Sequence, residues 1–382
     1  MKAELLLISI LLFSPLLKAL EVGAEQMQTY LPLIKGKRVA LVVNQSAQVK
    51  GLHLLDVLLE KQIDVKKVFS PEHGFRGKQD AGAKINDQVD DKTGLPIISL
   101  YGKSKKPRLA DIADVDVIIF DIQDVGVRFY TYISTMHYVL EAAAEAGKEV
   151  IVLDRPNPNI NLIDGPVLEL EFQSFVGMHP IPVLHGMTVG ELANMIVGER
   201  WLDTLKQPEL TVVAVSNYDL SKPFELPVKP SPNLPNRQSI SLYPSLCFFE
   251  ATPVSVGRGT DFPFQVFGYN EVKLGKFQFT PVSTPGAALN PKLKNKVAYG
   301  KDLRTHQGTE FDLTWFVGAY NKFKSENKLF FKYPKFMDKL AGTDKLRKAM
   351  LSGQSLTEIE NSWQPELKHF KLRRQPYLIY ER

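Results

Sequence analysis

Five short runs rich in valine and isoleucine, with helical patterns between several of them, restrict the fold more than any other feature: RVALVVN (38–44), VKKVFS (65–70), LPIISLY (95–101), VDVIIFD (115–121) and EVIVLD (149–154). Strands that are apolar almost throughout are buried on both faces, which is the mark of a parallel sheet covered by helices. The amphipathic stretches GLHLLDVLLEKQ (51–62) and STMHYVLEAAAEAGK (134–148) supply crossovers, the second ending in the Gly-Lys expected at a helix C-terminus. The pattern predicts an α/β fold, with a Rossmann-like, doubly wound, mostly parallel sheet in the first domain. Ligands of such sheets bind beyond the carboxyl ends of the strands. Each of those ends here carries polar groups: Asn44 and Gln45, then Glu72 and His73, then Tyr101, then Asp121, Gln123 and Asp124, then Asp154, Arg155 and Asn157. They are expected to converge.

From about Gly165 the texture changes to mixed strands, loops and helices, so the second domain is expected to be α+β. TVGELANMIVGERWL (188–202) opens with Thr188 and Glu191 at capping-box spacing. LTVVAV (210–215) reads as a strand, FDLTWFVGAYNKF (311–323) and SLTEIENSWQPELKHF (355–370) as helices, and YLIY (377–380) as a closing strand. VKPSPNLPNRQS (228–239) is a long Pro/Asn loop. Residues 1–24 carry a charged start, an apolar run and small residues at Val22 and Ala24, the layout of a secretory signal peptide cleaved after Ala24. The expected organisation is a leader (1–24), a Rossmann-like domain (25–164) and a C-terminal domain (165–382), with the active site in the cleft between the two domains.

Several function classes drop out. Where a dinucleotide fingerprint would follow the first strand stands NQSAQVKG (44–51), so no nicotinamide or flavin cofactor is expected. The single cysteine, Cys247, excludes an internal disulfide and a cysteine zinc site, and the seven histidines show no HExxH spacing, so no metal is expected. GxSxG is absent, which disfavours a serine hydrolase. A net charge of +5 suits an anionic partner, but no basic stripe with interleaved aromatics argues for nucleic acid. No later segment has the length and apolarity of a membrane span, so no stable membrane insertion is expected once the leader is removed.

The candidate chemistry lies on turns. In SPEHGFRG (70–77) a proline and two glycines frame Glu72, His73 and Arg76, and a partly buried carboxyl there suits protonation of a leaving group. FDIQDVGVRFYTYISTMH (120–137) adds Asp121, Asp124, Arg128, Tyr130 and Tyr132. Arg128 suits a bidentate carboxylate contact, or an internal salt bridge with Asp121 or Asp124. LDRPNPN (153–159) contributes Asp154, Arg155 and Asn157, LHGMT (184–188) His185, and SVGRGTDFPF (255–264) Arg258 between glycines that either admit a ligand or only make a turn.

These motifs, with TGLPIISLYG, PSPNLPN, YPSLCFFEATPVSVGRGTDFPF and the closing YLIY, resemble in order those of the exo-β-N-acetylmuramidase (NamZ-like) family. The similarity runs from about Lys37 to the C-terminus, with EATPVS a local departure. The resemblance implies removal of N-acetylmuramic acid (MurNAc) from the non-reducing end of peptidoglycan fragments, with Glu72 as principal carboxylate. His73 and Asp124 are its assigned catalytic companions. Asn44, Arg76, Tyr101, Asp121, Arg128, Tyr130, Tyr132, Asp154, Arg155, Asn157, His185 and Arg258 become the substrate pocket. Arg128 or Arg155 would select the lactyl carboxylate. The second catalytic role stays open among Asp121, Asp124, Asp154 and the substrate's own acetamido oxygen. The expected partners are MurNAc-GlcNAc disaccharides and longer fragments, in the periplasm, the cell envelope or outside the cell, with homodimerisation left open. The competing readings are a non-catalytic muropeptide-binding protein and a hydrolase of another acidic amino sugar.

Overall fold

The protein is described by a computed structural model covering residues 19–72, 74–75, 88–102, 104–308 and 310–382. His73, Arg76 and most of the expected leader lie outside the described residues. A seven-stranded sheet forms from β1 (Val39–Val43), β2 (Val65–Ser70), β3 (Gln88–Val89), β4 (Pro96–Ser99), β5 (Val117–Asp121), β6 (Glu149–Leu153) and β7 (Glu209–Val213), in the spatial order β7-β6-β5-β1-β2-β4-β3. All neighbours pair in parallel except the edge strand β3. The six parallel strands thus take the Rossmann order, with the topological switch point between β1 and β5, where Val43 pairs with Asp121.

Strand alternation sorts the core onto two faces. Val39, Leu41, Val43, Val117 and Ile119 pack with α1 (Met27–Ile34) and α2 (Leu54–Glu60). Ala40, Val42, Ile118 and Phe120 face α3 (Tyr132–Ala146) and α4 (Val189–Gly198). The second core continues without a break into Phe248, Phe249, Phe316 and Phe330 of the C-terminal half. The C-terminal half adds α5 (Arg237–Leu246), an antiparallel sheet of β8 (Val266–Tyr269), β9 (Phe277–Phe279) and β10 (Ala298–Asp302) in the order β8-β10-β9, and helices from Thr314 to Arg373.

α3 ends on Gly147 in the left-handed conformation, as its Gly-Lys ending predicts. At α4 the Thr188 hydroxyl accepts from the Glu191 N–H at 3.2 Å and the Glu191 carboxylate accepts from the Thr188 N–H at 3.0 Å, but the helix stops at Gly198 rather than running to 202. Arg200 there turns left-handed. Two further expectations differ from the structure. The strand expected in the second domain, β7, instead extends the first sheet by pairing with β6, so that sheet reaches past position 165. YLIY is not a strand: the tail lies across the sheet end, where the Tyr380 hydroxyl donates to Asp154 at 2.6 Å. Residues 21–24 belong to the fold, because Glu21 and Ser216 exchange two backbone hydrogen bonds and the Gly23 N–H donates to the Asp154 carbonyl. Cleavage after Ala24 would remove them.

Candidate active site

A cavity lined by Glu72, Phe129, Tyr130, Thr131, Tyr132, Ser231, Asn233, Leu234, Tyr243, Arg258 and Phe264 gathers groups from both halves of the chain. Glu72 follows β2. Residues 129–132 lead into α3, whose N-terminus carries partial positive charge toward the cavity. The Thr131 hydroxyl lies 3.5 Å from the Glu72 carboxylate, and the Tyr132 hydroxyl 3.5 Å from the Glu72 carbonyl. Tyr101, at the end of β4, hydrogen-bonds the Glu72 side chain. Burial, then the Glu72 charge, hold the hydroxyls of Tyr101 and Tyr132 protonated well above the usual phenol range. Tyr130 and Tyr132 meet edge to face at 4.9 Å, and the Tyr130 hydroxyl donates to the Pro230 carbonyl at 2.8 Å.

The opposite wall comes from two loops, of which sequence reasoning singles out Arg258 but not Asn233. PSPNLPN makes a tight turn, in which the Leu234 N–H donates to the Ser231 carbonyl. The turn buries Asn233, whose amide nitrogen donates to the Ala287 carbonyl at 2.9 Å while its Oδ1 has no partner among the described residues. Arg258 stands between Gly257 and Gly259, at φ 80° and 81°. A Cβ on Gly259 would meet the Val282 carbonyl oxygen at 2.4 Å, so these glycines form the turn that aims the arginine. Arg258 Nε donates to Glu250 at 2.7 Å and its guanidinium lies over the Phe264 ring at 4.9 Å.

The other proposed site residues converge as well, but on one another. Arg155 grips Asp121 with both Nε and Nη2 and donates a further bond to the Gln48 carbonyl at 3.1 Å. Asp154 accepts from Thr188 Oγ1 (2.7 Å), Gly190 N (2.8 Å), Arg155 N (2.9 Å) and Tyr380. Burial nevertheless pushes its carboxyl up to about 6. The Asn157 amide is taken up by the Met187 carbonyl and the Asn159 N–H. His185 is buried, accepts from the Met187 N–H, and is pulled down to about 3 by burial, so it is neutral. None of these lines the cavity.

Arg128 corrects the sequence reading most clearly. It is fully buried, donates to the carbonyls of Pro166 and Ile181 (both 2.7 Å) and of Leu340 (2.9 Å), and pairs with neither Asp121 nor Asp124. Burial lowers its pKa to about 9. It ties three chain segments together and does not reach the cavity. Asp124 also lies behind the wall: Oδ2 accepts from the Gly126 N–H at 2.6 Å, Oδ1 has no partner among the described residues, and burial pushes the carboxyl up to about 7. Its charge acts on Tyr130 and Tyr132. Asn44, at the end of β1, holds Ser46 through Oδ1 and lies beside Tyr132.

Residues 39–238 match the N-terminal domain of the exo-β-N-acetylmuramidase NamZ family, and residues 241–380 its C-terminal domain. The chain belongs to the NamZ family. The peptidoglycan β-N-acetylmuramidase NamZ of Bacillus subtilis (strain 168) is 39% identical over 373 residues, which cover 92% of this chain and 89% of that protein. Two solved DUF1343 family proteins of Bacteroides fragilis NCTC 9343 share the fold. One is 43% identical with a TM-score of 0.87, the other 27% identical with 0.79, and each comparison covers 95% of this chain and 99% of the other. The NamZ domain models meet near residue 240, beyond β7, in accord with a first sheet that extends past position 165.

Proposed function

We propose that the protein is a secreted, exo-acting glycoside hydrolase that releases N-acetylmuramic acid from the non-reducing end of peptidoglycan fragments, with Glu72 as principal catalytic carboxylate. One observation carries the reading: among the described residues Glu72 is the single carboxylate lining a cavity otherwise walled by tyrosines, an arginine, amides and hydroxyls. The substrate class follows that of the Bacillus subtilis relative, a peptidoglycan β-N-acetylmuramidase. Secretion rests on the composition of the leader, and the backbone pairing of Glu21 with Ser216 favours removal upstream of Glu21.

In this mechanism Glu72 gives its proton to the glycosidic oxygen as the bond to C1 breaks, so the aglycone leaves as a neutral alcohol. Asp121 and Asp154 are committed to other partners, and Asp124 stands behind the tyrosines. Among the described residues no second carboxylate lines the cavity, so in this reading the acetamido oxygen of the substrate closes on C1. Water then attacks C1 and passes its proton to the ionised Glu72, which reopens the fused ring and restores the acid. One water is consumed, and the anomeric configuration is retained. Tyr130 and Tyr132 offer aromatic surface to the sugar.

The test is hydrolysis of para-nitrophenyl β-N-acetylmuramide by wild type and Glu72→Gln, with the product anomer followed by NMR. Wild type should release the β anomer first, and the variant should lose about 10²–10⁴-fold in rate. A folded wild type that releases nothing, or a variant as active as wild type, would defeat the proposal.

A further inference from the structure

We infer that Arg258, clamped by Glu250 and Phe264, is the group that reads the lactyl carboxylate of the muramic acid residue, a role the sequence suggested for Arg128 or Arg155. This rests on the muramidase reading above.

The three arginines differ in what they have left to give. Arg128 is bound to three backbone carbonyls, and Arg155 spends its Nε and Nη2 on Asp121 and Gln48. Arg258 uses only Nε, toward Glu250, so both Nη groups lack a hydrogen-bond partner among the described residues. Its side chain keeps 28% of its surface open, and it is the one cationic side chain among the described residues that line the cavity. The guanidinium is also immobilised before any ligand arrives. Glu250 holds one edge, Phe264 lies under its plane, and the left-handed glycines fix the backbone on either side. Little side-chain freedom is then lost on binding.

The charge balance points the same way. Lys292 donates to the carbonyls of Phe249 (2.8 Å), Glu250 (3.0 Å) and Val254 (3.4 Å) and lies 3.6 Å from the Glu250 carboxylate. Two cations thus face one anion, which leaves a net positive charge in a wall of low dielectric. An arginine with two free parallel N–H groups matches a carboxylate in bidentate geometry, which a lysine cannot do. Arg258 and Glu72 line one cavity and both act electrostatically on Tyr101. A muramic acid ring with C1 at Glu72 would therefore turn its 3-O-lactyl arm to Arg258. N-acetylglucosamine has no such arm and leaves the wall charge unmatched.

The experiment compares para-nitrophenyl N-acetylmuramide with its lactyl methyl ester, which keeps the shape and loses the charge, using wild type and Arg258→Gln. Wild type should favour the free acid by about tenfold or more in kcat/KM, chiefly through KM, and the variant should bring that ratio close to one. Should the variant fail to fold, inhibition of wild type by free N-acetylmuramic acid against its methyl ester gives the same comparison, with the acid expected to bind about tenfold more tightly. Equal turnover of acid and ester by wild type, or an equal loss on both in the variant, would overturn the role of Arg258 and leave the muramidase reading intact. No turnover of either by folded wild type would overturn both.

Discussion

The carboxylates at the end of the sheet and the polar groups lining the cavity beside it differ in how completely they are satisfied. At the ends of β5 and β6, Asp121 is gripped by Arg155, and Asp154 accepts four hydrogen bonds. In the cavity, Asn233 Oδ1 and the outer nitrogens of Arg258 have no hydrogen-bond partner among the described residues. A buried polar group left without a partner is costly unless something else in the molecule's working life satisfies it. In the proposed account the first region is scaffold at the switch point of the sheet, and the second offers a ligand donors and acceptors to meet.

The sharpest way to break this comparison is to damage the scaffold. Arg155→Ala strands the buried Asp121 carboxylate and should cost about 3–5 kcal/mol of stability by denaturant unfolding, with turnover per folded molecule preserved. A loss of turnover at full stability would move Arg155 into the site. Tyr380→Phe removes a donor to Asp154 and should cost roughly 1–3 kcal/mol, read as a lowered midpoint. An unchanged midpoint would show that the tail does not anchor the sheet end.

A smaller effect sharpens the boundary between the regions. Burial raises Asp124 to about 7, against roughly 4 when unfolded. Between those values the folded state keeps a proton that the unfolded state has lost. Its contribution is fully present below about pH 4 and is lost as the pH rises through about 7. Asp124→Asn should make the decline of stability across that window shallower by about 1.4 kcal/mol per pH unit. Parallel profiles for variant and wild type would mean that Asp124 is ionised throughout.

The fold was legible wherever local pattern decides structure. Apolar runs marked β1, β2, β5 and β6, Gly147 marked the end of α3, and the Thr188–Glu191 box marked the start of α4. Sheet membership of β7 was not legible, because pairing with β6 is a long-range event that the half-buried run ELTVV does not announce. The site divides in the same way. Glu72, Tyr130, Tyr132 and Arg258 stood out by residue type and turn context, and all line the cavity. Arg128 looked equally promising, but its fate depends on carbonyls of Pro166, Ile181 and Leu340 that only the tertiary fold brings together. Asn233 was visible within PSPNLPN, yet nothing local said that its Oδ1 would be left without a partner.

The most direct test of the division measures two quantities on two proteins: unfolding midpoint and muramide turnover per folded molecule, for Glu72→Gln and Arg155→Ala side by side. The account predicts that Glu72→Gln keeps the wild-type midpoint and loses turnover, while Arg155→Ala loses stability and keeps turnover. The reverse pattern would contradict it.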